Sequence, residues 1–215
     1  FGQSECPMVI SNMTRKEHDL SKPERLSSCG RPSPWIHLSL RDPEGNEVPR
    51  GEPGEICIRG PLIMKGYKDM PEQTAEAFAG GWLHTGDVGK LDDDGFLYIV
   101  DRTKDMIVTG GFNVFPREVE DVLGTHEAVG QVVVIGVPDE QWGEAVKAVI
   151  VLKPDFEASE ELISSMQALV KKAKGSVQSP KSIDFVAAIP LTPVGKPDKK
   201  TVRAQYWVDS DRGVG

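Results

Sequence analysis

Cysteine is scarce in this chain of 215 residues: three thiols, Cys6, Cys29 and Cys57, with no CxxC pair. That odd count suits neither a disulfide framework nor a paired-cysteine zinc knuckle, and it leaves the reading of reduced thiols. Positive charge is short as well, with 25 Lys and Arg against 33 Asp and Glu and a net charge of −8. Phosphate backbones are bound by clustered cations. The one basic cluster, Lys196, Lys199 and Lys200, is brief, so no nucleic-acid partner is expected. No apolar run approaches the roughly 18 residues of a membrane-spanning helix. A signal-peptide pattern is also missing, and a cytoplasmic protein is expected. An initiator methionine is lacking too. Phe1-Gly2 reads as the middle of something longer.

The patterning that is present falls into two halves. Ile36, Leu38 and Leu40 alternate through 35–41, Glu55–Arg59 alternates again, and Phe96–Val100 is a third strand candidate. Asp42-Pro-Glu-Gly-Asn46 has turn chemistry between the first two. One helix is expected over 71–79, with Pro71 at its first turn. Past residue 104 helices and strands alternate. A helix over 116–123 presents Val119, Val122 and Leu123 on one face, and strands follow at 131–137 and 144–152. The clearest helix spans 159–174, with Glu160 and Glu161 at its start and Lys171, Lys172 and Lys174 at its end, as the helix dipole favours. A strand over 182–186 and a short helix over 199–206 complete the reading. The fold class expected is α+β: a β-rich lobe over 1–101, a link at 102–105, and a small α/β domain over 106–215.

Four clusters could carry chemistry. Phe1-Gly-Gln-Ser-Glu5 joins an aromatic ring, a hydroxyl and a carboxylate, which can serve a phosphate and Mg²⁺ or be no more than a solvated end. Trp82-Leu-His-Thr-Gly-Asp87 puts a carboxylate after a glycine, suited to ribose hydroxyls or to capping a turn. Asp101-Arg-Thr-Lys-Asp105 carries four charges, most simply a solvated face. Pro190–Lys199 stiffens a loop with prolines around Gly195 and Lys196, a way to deliver a point charge or only to solubilise. A fifth stretch, Val108-Thr-Gly-Gly-Phe-Asn-Val-Phe-Pro116, reads as a glycine-rich turn entering a helix, an arrangement that can bind anions.

Singly these are weak, but their order is specific. "FGQSE", "GEICIRGPLIMKGY" (54–67), "WLHTGD", "GFLYIVDRTKDMIVTGGFNVFPREVE" (95–120), "VVVIGVPDEQWGE" (132–144) and "PLTPVGKPDKK" together resemble the acyl-adenylate-forming superfamily. That superfamily includes acyl-CoA synthetases, luciferases and adenylation domains of peptide synthetases. The resemblance covers almost the whole chain and implies the end of a large adenylating domain followed by the small mobile C-terminal domain. It implies a reaction in which a carboxylic acid attacks the α-phosphate of ATP, giving an acyl-adenylate and pyrophosphate. A thiol, usually coenzyme A, then takes the acyl group and AMP leaves. Carried over, Phe1 would stack on adenine, Ser4 would contact phosphate and Glu5 would help hold Mg²⁺. Asp87 would bind the ribose with help from Arg102, and Lys104 would be the hinge. Lys196 would bridge substrate and phosphate oxygens during adenylation, and Gly110, Gly111 and Phe112 would line the path of the CoA arm.

One departure is Pro197-Asp198 after the lysine, where the family often has a branched aliphatic residue. The superfamily's phosphate loop and acyl pocket are expected upstream of Phe1, so this chain alone is expected to be inactive. A carboxylate–CoA ligase is the leading reading. A carrier-loading adenylation domain and a non-catalytic module of the same fold are the alternatives.

Overall fold

The computed structural model describes residues 1–7 and 9–207. The last eight positions of the domain expected over 106–215 lie outside the described residues. The chain divides into two compact units, Phe1–Thr103 and a second that begins at Lys104.

The first unit carries six strands: β1 (Ser11–Asn12), β2 (Arg31–Pro32), β3 (His37–Arg41), β4 (Gly54–Arg59), β5 (Leu83–Leu91) and β6 (Leu97–Arg102). β1 and β2 form a small antiparallel ladder, and β3-β4-β5-β6 is an antiparallel sheet in sequence order. Period-two alternation sends Ile56 and Ile58 of β4 into a core with Ile36, Leu40, Leu83 and Leu97. Helix α1 (Pro71–Ala77) starts on a proline whose missing N–H costs nothing at a first turn.

β5 departs from the sequence reading. Thr-Gly-Asp was expected as a turn, yet it lies inside a nine-residue strand. Between the pairs Cys57↔His84 and Glu55↔Val88, β4 contributes one residue and β5 contributes Thr85, Gly86 and Asp87. The surplus forms a bulge, and Gly86 at φ +70° accepts a backbone angle that a side chain would resist.

The second unit carries β7 (Ile107–Thr109), β8 (Phe112–Val114), β9 (Val129–Asp139), β10 (Gly143–Leu152) and β11 (Ser182–Phe185). Helices α2 (Pro116–Leu123), α3 (Glu160–Lys174) and α4 (Lys199–Ala204) accompany them. β10 is central: antiparallel to β9 along its length, parallel to β11, and joined through Gly143↔Thr109 to the β7–β8 hairpin. Val134, Val146, Ala148 and Ile150 face α2 and α3, packing with Val119, Leu123, Met166 and Val170. Val133, Ile135 and Val149 face the other way, with Ile189 and Val202 of α4. Burial on both faces explains why β9 and β10 are written as continuous apolar runs.

α3 is stopped at both ends by its own sequence. The Ser159 hydroxyl accepts the Leu162 N–H at 3.2 Å, the lysines occupy its last turn, and Gly175 leaves it at φ +89°.

Candidate functional site

In the first unit, the amino-terminal stretch is tied to the sheet. The Phe1 carbonyl accepts from the backbone N–H groups of Ile10 and Ser11, and Gln3 pairs with Cys6. Phe1, Gly2, Gln3, Ser4 and Glu5 line an open cavity of about 470 Å³ together with Thr85, Asp87, Ile99 and Arg102. The five residues expected to act on nucleotide in this unit (Phe1, Ser4, Glu5, Asp87 and Arg102) therefore meet at one depression.

Asp87 is its best-held member, 7% exposed. Asp87 and Arg102 are directly opposite each other in the β5–β6 ladder, and Arg102 Nε lies 3.3 Å from Asp87 Oδ1. The Gln3 amide donates to Asp87 Oδ2 at 2.7 Å and to the Thr85 carbonyl at 2.8 Å. Each carboxylate oxygen has two acceptor positions, so both retain room for a further donor such as a ribose hydroxyl. Gln3 was not singled out by sequence reasoning. It lies 84 positions from Asp87, and nothing local in the sequence records that contact.

Glu5 is half-buried, with its carbonyl bonded to Met64 N–H and its Oε1 accepting the Tyr67 hydroxyl at 3.0 Å. Burial first, and then that bond to a carboxylate, push the Tyr67 hydroxyl above its usual range, so it remains a donor. A carboxylate held in this way at the lining of the cavity is of the kind that binds a hard cation such as Mg²⁺.

Charge in the 101–105 run is not uniformly solvated. Asp101 is buried at 8% and accepts the Arg102 N–H, whereas Arg102, Thr103 and Lys104 are exposed. Within the second unit Arg203 of α4 reaches the start of the chain segment, donating to the Lys104 carbonyl at 3.3 Å and lying 3.7 Å from Asp105 Oδ1.

The glycine pair also differs from its sequence reading. Gly110 and Gly111 do not enter the helix. They form the two-residue loop of the β7–β8 hairpin, with β8 and Phe115 intervening before α2. Both have positive φ, +56° and +82°, as a type I′ hairpin turn needs. A Cβ on Gly110 would come within 2.5 Å of the Trp142 ring, while one on Gly111 would meet nothing within 4 Å. Phe112, beside them, is 61% exposed.

Lys196 stands on a second tight loop. Leu191 and Pro197 pair across it, Thr192 N–H donates to the Lys196 carbonyl at 2.7 Å, and Lys196 N–H donates to Thr192 Oγ1 at 3.1 Å. Gly195 turns it at φ +78°. The departure at 197–198 has a structural role: Pro197 closes the loop, and the Asp198 carboxylate caps α4 by accepting from Thr201 N–H and Oγ1. Those two bonds hold the Asp198 carboxyl below its usual range.

The AMP-binding enzyme model matches residues 1–68, and the AMP-binding enzyme C-terminal domain model matches 118–196. The chain belongs to the AMP-binding enzymes. It is 55% identical over 219 residues to the medium/long-chain-fatty-acid–CoA ligase FadD8 of Mycobacterium tuberculosis, a match covering 100% of this chain and 38% of that protein. The amide bond synthetase McbA of Marinactinospora thermotolerans superposes with a TM-score of 0.82 at 40% identity, covering 96% of this chain and 41% of McbA. ATP-bound MatB from Rhodopseudomonas palustris gives 0.82 at 34% identity, covering 95% and 39%. The chain thus spans about two fifths of the length of the relatives it matches. No helix among the described residues is long and apolar enough to cross a membrane.

Proposed function

We propose that this chain supplies the ribose- and phosphate-facing wall and the mobile lysine of an ATP-dependent carboxylate–CoA ligase acting on fatty acids in the cytoplasm. The observation that carries the reading is the convergence of Phe1, Ser4, Glu5, Asp87 and Arg102 on one cavity. The fatty-acid assignment rests on the named activity of the 55%-identical relative. The acceptor is assigned to CoA on the same ground.

In this reading Phe1 offers its ring face to adenine. Asp87, braced by Gln3 and Arg102, accepts the ribose hydroxyls, and the Ser4 hydroxyl meets phosphate. Glu5 would help hold Mg²⁺, which supplies neutralisation of the triphosphate charge when bound. Attack of a carboxylate on the α-phosphate concentrates negative charge. A lysine is a compact cation able to follow that charge. Lys196 has the placement this needs within its own unit: exposed, on a loop clamped at both ends, immediately before a capped helix. The segment 102–105, with Lys104, would serve as the hinge that carries the second unit between half-reactions. The Gly110-Gly111 turn with Phe112 would border the CoA arm for the second.

The experiment is a pyrophosphate-release assay on the full-length protein containing this chain, against acids of increasing chain length, with CoA or a phosphopantetheinylated carrier as acceptor. Acid-dependent release followed by acyl-CoA formation supports the reading. Release with no CoA thioester but acylated carrier would assign the acceptor differently, and no release with any acid would refute the ligase reading.

A further inference from the structure

Beside the bulge that carries Asp87, three side chains of the kinds that bind zinc converge. Glu55 and Cys57 are two apart on β4 and so share a sheet face, opposite to Ile56 and Ile58. His84 is the direct cross-strand partner of Cys57 and completes the group on that face. One ligand atom from each of the three lies within 4.8 Å of the other two.

The imidazole is the informative member. Its Nδ1 lies 2.7 Å from Glu55 Oε2 and 3.5 Å from Cys57 Sγ, while its Nε2 lies 3.3 Å from the Ala79 carbonyl. Both ring nitrogens thus face oxygen acceptors, but a neutral imidazole carries one N–H. Donation from Nε2 to a backbone carbonyl is the arrangement by which proteins orient a metal-bound histidine. In that tautomer Nδ1 presents its lone pair toward Glu55 and Cys57, the orientation a metal ligand needs. The remaining Glu55 oxygen accepts the Gly86 N–H at 3.0 Å, so the carboxylate is oriented as well.

We propose that Glu55, Cys57 and His84 form a binding site for a borderline-soft divalent cation of the Zn²⁺ class, with an open fourth position. A tetrahedral centre with sulfur at about 2.3 Å and nitrogen at about 2.0 Å sets those two atoms roughly 3.5 Å apart. That matches the separation of Cys57 Sγ and His84 Nδ1. The Nδ1 to carboxylate gap would open by about 0.6 Å to reach the corresponding distance. Binding forms a metal–thiolate bond, and the thiol proton leaves to solvent. Access is from the side of His84 and Glu55, whose side chains are 30% and 22% exposed, because Cys57 itself is buried. Since Glu55 also holds Gly86, an occupied site would brace the bulge on which Asp87 stands. The binding itself does not depend on the ligase reading.

Titration of the full-length protein containing this chain with Cd²⁺ alone, followed by the ultraviolet thiolate-to-metal charge-transfer band, tests the site. One equivalent should develop the band in the wild type and in Cys6→Ser and Cys29→Ser. It should vanish in Cys57→Ser, and His84→Gln should weaken binding by about a hundredfold, at or beyond the loss typical of disturbing a metal's outer shell. Far-ultraviolet circular dichroism checks that each variant is folded. The wild type alone can overturn the proposal, whether or not a variant folds: no band at stoichiometric Cd²⁺ does so. A band that survives Cys57→Ser overturns it equally.

Discussion

The Gln3 amide lies 2.7 Å from Asp87 Oδ2 and 2.8 Å from the Thr85 carbonyl, so one side chain from the amino-terminal stretch fixes both the carboxylate and the bulge that presents it. Its Nε2 spends both donors there. On the opposite oxygen, Arg102 completes the brace.

Replacing Gln3 by Leu should therefore misplace Asp87 without removing it. A hydrogen bond to a charged group contributes about 1.5–3 kcal/mol, and only its orienting share would be lost. In the full-length protein KM for ATP should rise by up to roughly tenfold with kcat little changed. An equal fall in kcat, with KM unchanged, would speak against a positioning role.

The two glycines of the β7–β8 turn should not behave alike. Both positions demand positive φ, which costs a non-glycine residue about 1–2 kcal/mol, but only at Gly110 does an added Cβ collide with the Trp142 ring. Thermal unfolding should rank Gly110→Ala as clearly less stable than Gly111→Ala. Equal losses would show that the Trp142 contact adds nothing. Gly111→Leu, whose Cβ meets nothing within 4 Å, should impair CoA transfer more than adenylation.

Asp184 offers a pH test in the second unit. Burial raises its pKa, but hydrogen bonds from Lys147 Nζ at 2.8 Å and the Tyr206 hydroxyl at 2.7 Å, with the Lys147 charge, outweigh burial and leave it below the usual 3.8. A carboxylate depressed on folding adds stability that is complete above its unfolded pKa and is lost as pH falls through the lower folded value. Chemical denaturation between neutral pH and strong acid should show this contribution disappearing below about 4. Asp184→Asn should be less stable at neutral pH and converge toward wild type in acid; a constant difference across the range would contradict the account.

Much of this architecture was legible before any coordinates. α2 was expected over the residues it occupies, because Pro116 fixes its start and Val119 and Leu123 mark one face. α3 was readable from its end charges and Gly175. β9 and β10 were visible as apolar runs because both their faces are covered. β5 was not, since Gly86 in a bulge looks in sequence like glycine in a turn. The β7–β8 hairpin was missed because strands of three residues are too short to show a period. For the candidate site, the individual residues could be named from their stretches. The brace from Gln3 and the meeting of Glu55, Cys57 and His84 could not, because both depend on strand register and on a bulge that sequence does not display.

In the proposed ligase Lys196, on its clamped loop, would serve adenylation and not thioester formation. The most direct measurement is to separate the half-reactions in the full-length Lys196→Ala protein. Pyrophosphate release should fall by about a hundredfold or more, as when a group stabilising developing charge is removed. Thioester formation from a supplied acyl-adenylate and CoA should be largely retained. Equal loss of both half-reactions, or undiminished pyrophosphate release, would contradict it.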